Sequence, residues 1–336
     1  MNVTINDLAK ELNLSKATIS KALKDSHEIS PETKQRVLEL AKKLHYTPNP
    51  YASSLRKRSS KTIAVVLPEV ADSFFSLAIN GIESVAKDIG YHVLIYLTHE
   101  SFVREQAILN EFQSGRVDGI LMSVSGETAD SKHVTEVINA GMPVVFFDRV
   151  CEDVQTSKIV TDDFESSYNA TLHLIKKGCK QIAYLSTSSS LSINSKRMDG
   201  YKKALTENGI KEAGKNIIAC YGDNESNYKT IHNLLKKKNR PDGILASVEK
   251  LTTPIYLACK ELKISIPKEI KIISFTNLEA AAILVPSLTT ITQPAFEMGK
   301  SAATILFKAL KKSNFKLPNE NLVIPSTLII RDSTGK

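Results

Sequence analysis

Residues 4–44 read TINDLAKELNLSKATISKALKDSHEISPETKQRVLELAKKL, which contains three short helical patterns separated by turns. Thr4 is followed three residues later by Asp7, the spacing of a capping box, and apolar residues then recur at helical intervals. A first helix is therefore predicted over residues 5–12. Two helices joined by a tight turn and supported by a third form a helix-turn-helix. This stretch is predicted to fold as one.

The second and third helices of this stretch have recognisable start signals. The second begins after Ser15, whose hydroxyl is placed to cap it, and helical spacing puts Ile19 and Leu23 on one side. Its other side carries small, polar or basic residues, namely Lys16, Ala17, Ser20 and Lys21. The third starts at Ser30-Pro31, a capping hydroxyl before a first-turn proline. Its expected packing stripe consists of Val37, Leu38, Ala41 and Leu44.

Positive charge is concentrated in the N-terminal part of the chain. The 336 residues have a formal net charge of +8. Residues 1–61 hold 12 Lys+Arg against 6 Asp+Glu, a net +6, and the remaining 275 residues hold 32 against 30, a net +2. A small folded module with this excess favours binding to a polyanion. The alternative is a solvated basic tail, but periodic apolar residues and helix caps predict that the segment folds.

Residues 46–58, YTPNPYASSLRKR, follow the predicted helix-turn-helix. Asn49 can cap a helix and Pro50 can start one, but only about two turns are available. An isolated helix of this length is unstable in water because its nucleation is costly. We therefore expect these residues to become helical when DNA binds them.

Residues 3–68, VTINDLAKELNLSKATISKALKDSHEISPETKQRVLELAKKLHYTPNPYASSLRKRSSKTIAVVLP, resemble the N-terminus of the lactose-repressor (LacI/GalR) family of bacterial transcription regulators. The resemblance implies a homodimer on a palindromic double-stranded DNA operator. Recognition helices would enter successive major grooves, with Lys16, Ala17 and Lys21 reading bases. Hinge helices would enter the central minor groove, where Leu55 would wedge open a base step. The residues that the resemblance assigns to DNA are Lys16, Ala17, Thr18, Ser20, Lys21, Asn49, Ser53, Leu55 and Arg56.

From residue 62 onward, short apolar runs alternate with amphipathic segments of helical length. Seven runs are predicted to be buried parallel strands: IAVVLP, YHVLIYL, DGILMSV, PVVFFD, KQIAYLS, DGILASV and IKIISFT. Residues 117–124 and 241–248 agree at six of eight positions, which suggests two similarly built halves. The pattern predicts a doubly wound α/β body.

The same region resembles the effector domain of this family, which is similar to periplasmic sugar-binding proteins. The resemblance implies an all-α helix-turn-helix head and hinge helix joined to a body of two doubly wound parallel-sheet lobes, between which the chain crosses three times. The expected boundaries are 1–47 for the DNA-binding domain, 48–61 for the hinge and linker, and 62–336 for the effector-binding and dimerisation domain. Within the body, the N-lobe is expected at about 62–161 and 293–321, and the C-lobe at about 162–292 and 322–336.

The resemblance places a small ligand in the cleft between the lobes. Phe74 and Phe75 fit stacking on a sugar ring, with core packing as the alternative. Asp148-Arg149 ends a predicted strand, where open α/β sheets bind ligands, with a structural salt bridge as the alternative. Arg197 matches the family's effector-binding arginine, whose planar fork suits paired oxygens. The expected effector residues are Ser73, Phe74, Phe75, Asp148, Arg149, Arg197, Thr276, Asn277 and Gln293.

Two positions depart from the pattern of the sugar-responsive members. Thr276-Asn277 stands where many of them have aspartate followed by asparagine. Val248-Glu249 stands where Asn-Asp is common. A sugar or sugar derivative is still the expected effector, but polar groups that a standard hexose pocket uses are missing.

The sequence contains no motif for catalysis, for metal binding or for a cofactor cradle such as G-x-G-x-x-G. Gly299-Lys300-Ser301 resembles the end of a phosphate-binding loop, but Pro294 replaces its required first glycine. No enzymatic activity, cofactor or metal site is therefore expected. The four cysteines are expected to be reduced core thiols. Apolar runs fall short of the roughly 20 residues of a membrane helix, and the N-terminus lacks signal-peptide features, so a cytoplasmic, nucleoid-associated protein is expected.

Together these features favour a ligand-gated, sequence-specific DNA-binding transcriptional regulator, and the resemblance implies a repressor of carbohydrate-related genes. The alternative is a small-molecule binding protein for transport, which would have no use for a basic DNA-binding module. An enzyme with a fused DNA-binding head ranks third. The absence of a leucine-heptad tail favours a homodimer over a tetramer. Ligand is expected to close or reorient the lobes and to shift the dimer interface, which changes the spacing of the two hinge helices and with it the operator affinity.

Overall fold

The computed structural model describes residues 3–46, 59–112, 115–188, 190–210, 215–311 and 317–335. The chain forms two compact units, Met1–Arg58 and Ser59–Lys336. The predicted hinge helix lies outside the described residues, and with it Asn49, Ser53, Leu55 and Arg56.

The N-terminal unit contains three helices: α1 (Ile5–Glu11), α2 (Lys16–Ala22) and α3 (Pro31–Lys43). The expected caps are present. Thr4 donates both its N–H and its hydroxyl to the Asp7 carboxylate at 2.8 Å each. The hydroxyls of Ser15 and Ser30 accept from the backbone N–H groups at the starts of α2 and α3. Leu8, Ile19 and Val37 are fully buried and form the centre of the core. The predicted helix-turn-helix is confirmed.

One of the α3 residues predicted to pack against the core does not face it. Leu38 is 53% exposed, and Leu40 packs against the core in its place. A helix turns by about 100° per residue, so positions spaced three and four residues from Val37 share its face, whereas the adjacent position does not.

The larger unit contains twelve described strands and eight described α-helices. The strands are β1 (Thr62–Leu67), β2 (His92–Leu97), β3 (Gly119–Met122), β4 (Val144–Phe147), β5 (Lys158–Val160), β6 (Ile182–Ser186), β7 (Ile217–Ala219), β8 (Gly243–Ala246), β9 (Lys271–Phe275), β10 (Thr289–Thr292), β11 (Asn321–Val323) and β12 (Thr327–Ile329). The helices are α4 (Ser73–Asp88), α5 (Phe102–Phe112), α6 (Lys132–Asn139), α7 (Asp163–Lys176), α8 (Ser192–Glu207), α9 (Asn224–Leu235), α10 (Thr252–Glu261) and α11 (Ala295–Lys311).

These strands form two six-stranded sheets, one in each lobe. Their orders are β11-β5-β4-β3-β1-β2 in the N-lobe and β12-β10-β9-β8-β6-β7 in the C-lobe. Every described pairing is parallel except that of β10 with β12. The two segments of the internal repeat become β3 and β8, which occupy the same place in their sheets. The prediction of two similarly built halves is confirmed.

The repeated Asp-Gly pair has the same role in both lobes. The Asp118 carboxylate accepts hydrogen bonds from the backbone N–H groups of Ser60 and Lys61, just before β1. The Asp242 carboxylate accepts from those of Lys180 and Gln181, just before β6. Each aspartate thus fixes the start of the neighbouring strand.

Helices cover both faces of each sheet, which explains the continuous apolar runs in the strands. In β1, Ile63 and Val65 face the core under α4 and α11, while Ala64 and Val66 face the core under α5 and α6. In the C-lobe, α7 and α8 cover one face and α9 and α10 the other. Only β2 departs from the prediction of buried strands. It lies at a sheet edge with β1 as its one described partner, and Leu94 and Ile95 are exposed.

The helices α4 and α11 pack with their backbones close together. A Cβ atom on Gly299 would lie 2.0 Å from the carbonyl oxygen of Ala78, and one on Gly81 would lie 2.1 Å from that of Phe296. The glycine of the Gly299-Lys300-Ser301 segment therefore serves helix packing.

Within the described residues the chain crosses between the lobes after β5, after β10 and after β11, which confirms the expected three crossings. The last crossing falls slightly later than expected, because Leu322 and Val323 pair with β5 in the N-lobe sheet. Cys179, Cys220 and Cys259 are buried, and burial raises the pKa of the Cys220 thiol to about 11. In the described parts of the chain no helix has both the length and the apolar character needed to span a bilayer.

Candidate functional site

The outer face of α2 carries the residues predicted to bind DNA. Lys16, Ala17 and Lys21 are exposed, and Thr18 and Ser20 are half-buried. The Thr18 hydroxyl lies 2.8 Å from the Ser15 hydroxyl and so belongs to the helix cap. The Lys21 ammonium pairs with Glu28, beyond the end of α2. A base or phosphate contact by Lys21 would therefore have to replace this exposed ion pair.

The cleft between the two lobes lies at the carboxyl ends of the central strands. Its empty space of about 520 Å³ includes volume that is open to solvent. Every predicted effector residue except Ser73 lines it. Ser73 instead donates from its N–H and its hydroxyl to the Glu249 carboxylate.

Arg197, on α8, is held by three groups. Its Nε donates to Asp163 Oδ1 at 2.8 Å, and its Nη1 donates to the Ser247 carbonyl oxygen at 2.6 Å. The guanidinium carbon lies 3.9 Å from the centre of the Phe275 ring. Nη2 is buried and has no hydrogen-bond partner among the described residues. The side chain is thus fixed in place with one donor nitrogen unused.

Asp148 and Arg149 follow β4 and behave differently. Asp148 is buried, and burial raises its pKa to about 6. Its contacts are long: Gln293 Nε2 lies 3.5 Å from Oδ1, and Arg149 Nε lies 3.9 Å from Oδ2. Arg149 Nη1 donates to both carboxylate oxygens of Glu100 at 2.9 Å. The salt bridge considered from the sequence therefore exists, but its main acceptor is Glu100.

Glu249 joins the two lobes across the cleft. Its Oε1 accepts from the backbone N–H of Ser73, at the start of α4 in the N-lobe, at 3.0 Å. Its Oε2 accepts from the Thr276 hydroxyl at 2.5 Å and from the Asn277 N–H at 3.1 Å, both in the C-lobe. The N-terminal end of a helix favours a negative charge. The carboxylate therefore acts as a bridge that belongs to both walls of the cleft.

Asp72 lies beside this bridge and caps α4. Its Oδ1 accepts from the Phe74 N–H at 2.9 Å. Burial, followed by the nearby charge of Glu249, raises the pKa of Asp72 to about 7.

Phe74 and Phe75 serve the core and the cleft together. Both are buried within the N-lobe core, and both line the cleft. Their rings meet edge to face, with centroids 5.3 Å apart. Each phenylalanine can therefore pack in the core and still present part of its ring to a ligand in the cleft.

Further contacts close the cleft at one end. Leu191 and Ile193, at the start of α8, pack into the N-lobe core. The Ser190 hydroxyl donates to the Gly126 carbonyl oxygen at 2.8 Å, and Lys196 pairs with Glu152 at 2.6 Å. The structure therefore shows the two lobes in contact.

Several cleft residues had not been predicted, and their sequence signals differ. Glu249 was noticed as a departure from the family pattern, but its bridging role requires two lobes distant in sequence. Asp163, which holds Arg197 although it does not itself line the cleft, follows β5, a strand too short to be detected. The remaining lining residues that were missed include Asp72, Thr187, Leu191, Ile193, Asn194, Ser247, Val248 and Phe275.

The described residues contain no group of three or more His, Cys, Asp or Glu side chains arranged to hold a metal ion.

Two known families match parts of the chain. Residues 4–49 match the family described as bacterial regulatory proteins, lacI family, and residues 171–334 match the periplasmic binding protein-like domain. The chain is 28% identical over 335 residues to catabolite control protein A of Priestia megaterium, covering 99% of this chain and 100% of that protein. It is 29% identical over 336 residues to the HTH-type transcriptional regulator RegA of Clostridium saccharobutylicum, with the same coverage.

Solved structures show the same fold over the whole chain. The Lac repressor dimer bound to operator and the anti-inducer ONPF matches with a TM-score of 0.85 and 22% identity, covering 100% of both chains. The CelR–cellobiose complex matches with a TM-score of 0.73 and 21% identity, covering 99% of this chain and 100% of that one. The chain therefore carries a DNA-binding domain of the lacI family of bacterial regulatory proteins at residues 4–49, followed by a periplasmic binding protein-like domain at residues 171–334.

Proposed function

We propose that this protein is a ligand-gated transcriptional repressor of carbohydrate-related genes that binds a palindromic operator as a homodimer. The observation that carries the proposal is the exposed basic face of α2 on a folded helix-turn-helix, in a chain whose other unit contains a cleft between two lobes. In this proposal Lys16, Ala17 and Lys21 read bases, and Thr18 and Ser20 contact phosphates.

Two structural relatives support the two binding roles. One is a Lac repressor dimer on its operator with an anti-inducer, and the other is a regulator in complex with cellobiose. For this chain the proposed effector is a sugar or sugar derivative held by the cleft residues named above. The proposed set comprises Ser73, Phe74, Phe75, Asp148, Arg149, Arg197, Thr276, Asn277 and Gln293.

The proposed coupling follows from the lobe contacts. Because both walls of the cleft contribute polar groups, a ligand that bridges them changes the free energy of lobe closure. We propose that the operator binds the closed and open arrangements with different affinities, so that ligand and operator change each other's affinity by the same factor. Asn49, Ser53, Leu55 and Arg56 form the proposed hinge contacts with DNA. We also propose that the protein has no catalytic role and acts in the cytoplasm, where chromosomal DNA lies.

Selection from a random pool of duplex DNA tests this function. The full-length protein is expected to enrich a palindromic sequence, and a binding isotherm on that sequence should fit a dimer. Deletion of residues 1–61 should abolish retention of the selected duplex. Failure to enrich any sequence, or full retention by the truncated protein, would overturn the proposal. A transport binding protein would give the first of these results.

A further inference from the structure

The charges that line the cleft are unbalanced. Three carboxylates line it, those of Asp72, Asp148 and Glu249, together with two arginines. Both arginines are already paired with carboxylates outside this group of three: Arg197 with Asp163, and Arg149 with Glu100.

Cationic partners for the three carboxylates are scarce. Among the residues that the structure describes, neither Asp72 nor Glu249 forms an ion pair, and the nearest cation of Asp148 is Arg149 Nε at 3.9 Å. Glu249 is held by neutral donors alone, those of Ser73, Thr276 and Asn277. The cleft therefore carries excess negative charge in a partly desolvated space.

The pKa values of Asp72 and Asp148 reflect mainly the burial of these groups. Burial and the charge of Glu249 raise the pKa of Asp72 to about 7, and burial raises that of Asp148 to about 6. A neutral ligand would remove more water from these carboxylates without supplying a counter-charge. A cationic ligand would supply one.

A second feature constrains the rest of the ligand. Arg197 Nη2 is a buried donor without a partner among the described residues, and its side chain lines the cleft. A buried donor left unpaired is costly, so a ligand atom that accepts from it is favoured. A hydroxyl or ring oxygen meets this need without adding negative charge.

We propose that the ligand of this cleft is a polyhydroxylated molecule bearing a protonated amine, of the amino-sugar class, and that the cleft rejects phosphorylated sugars. The proposal rests on the proposed function, in that it identifies the chemistry of the effector. The ammonium group lies among the three carboxylates, and an oxygen of the ligand accepts from Arg197. A phosphate would meet the same carboxylates as like charges and would be disfavoured.

Isothermal titration calorimetry of the full-length protein with matched sets of sugars tests the proposal. Each set contains a hexose, its 2-amino derivative and its 6-phosphate, in the gluco, galacto and manno series. We expect one or more amino sugars to bind at least about tenfold more tightly than their parent hexoses, and the phosphates to give no heat of binding. Tighter binding of a hexose or a phosphate would overturn the proposal. Failure of every amino sugar to bind would overturn it as well.

Charge-removing variants identify the groups responsible. Glu249→Gln should reduce the advantage of the amino sugar over its parent by about tenfold, whereas Glu225→Gln, an exposed change on α9, should leave it unaltered. Asp72→Asn, which retains a helix-capping side chain, should reduce the advantage in the same direction. Equal weakening of both ligands by Glu249→Gln and Asp72→Asn would show a purely structural role and contradict the proposal. Retention of the selected operator by the same protein samples reports separately on the proposed function.

Discussion

Arg197 Nε and Asp163 Oδ1 lie 2.8 Å apart, and both side chains are almost fully buried. Burial raises the pKa of Asp163, although the neighbouring guanidinium opposes this effect. The pair fixes the orientation of Arg197 before any ligand arrives. A ligand that accepts from Nη2 consequently meets a donor whose side-chain entropy has already been lost on folding.

Arg197→Lys tests this preorganisation. Lysine keeps the positive charge but lacks the planar fork that contacts Asp163 and Ser247 together. We expect ligand affinity to fall by at least about tenfold while operator binding without ligand stays near its original value. Calorimetry and operator titration measure the two quantities, with Arg240→Lys on the surface as the control. Unchanged ligand affinity would show that Arg197 does not contact the ligand and has only a structural role.

Asp72→Asn tests the raised pKa of Asp72 through stability. The folded pKa of about 7 lies above the ordinary value of 3.8, so the fold binds the proton more tightly than the unfolded chain. The resulting stabilisation is fully present below pH 3.8 and is lost as the pH rises through 7. The difference in free energy of unfolding between the asparagine variant and the original protein should therefore favour the variant most at pH 8 and decrease toward pH 5. Urea unfolding at both pH values measures it, and a pH-independent difference would contradict the assignment.

Much of the fold follows from local signals in the sequence. The helix caps at Thr4, Ser15 and Ser30 involve groups within three residues of each other, so they could be predicted directly. The seven detected strands have four to six residues each and are apolar and mostly buried on both faces. The undetected strands β5, β7, β10, β11 and β12 have three or four residues each and depend on neighbours distant in sequence.

The cleft was predictable only in part, for a related reason. Arg197, Asp148 and Gln293 could be located because each stands in a segment that resembles the family pattern. Two further groups could not be located: Asp163, which holds Arg197, and Glu249, which bridges the two walls of the cleft. Both reach their partners only after the chain has folded. In the helix-turn-helix, Leu38 was predicted to face the core but is exposed. A short amphipathic pattern does not fix the buried face of a helix to within one residue.

Lys21→Ala tests base reading by α2. If the side chain reads a base edge, the variant should lose roughly 1–3 kcal/mol of binding free energy on the selected operator and discriminate less among sequence variants. Competition binding with single-base variants of the operator measures both effects. Lys24→Ala, beyond the end of α2, is the control. Equal weakening on every sequence would assign Lys21 to phosphate contacts.

Leu55→Ala tests the proposed hinge wedge. An apolar side chain inserted at a base step offsets part of the cost of unstacking it. The variant should melt at the same temperature as the original protein, yet bend and bind the operator less. Circular permutation gel shifts measure the bend. A lowered melting temperature with an unchanged bend angle would place Leu55 in a protein core instead.

The central claim is that the cleft and the DNA-binding head are thermodynamically coupled. Its most direct test is operator affinity measured with and without the ligand that stabilises the protein in a thermal-shift screen of sugars and nucleotides, paired with ligand affinity measured with and without operator. Coupling of typical strength, about 1–3 kcal/mol, predicts a change of roughly 5- to 150-fold, and the two measurements must give the same factor. Operator affinity that is unchanged at saturating ligand, with ligand affinity likewise unchanged by operator, would contradict the account.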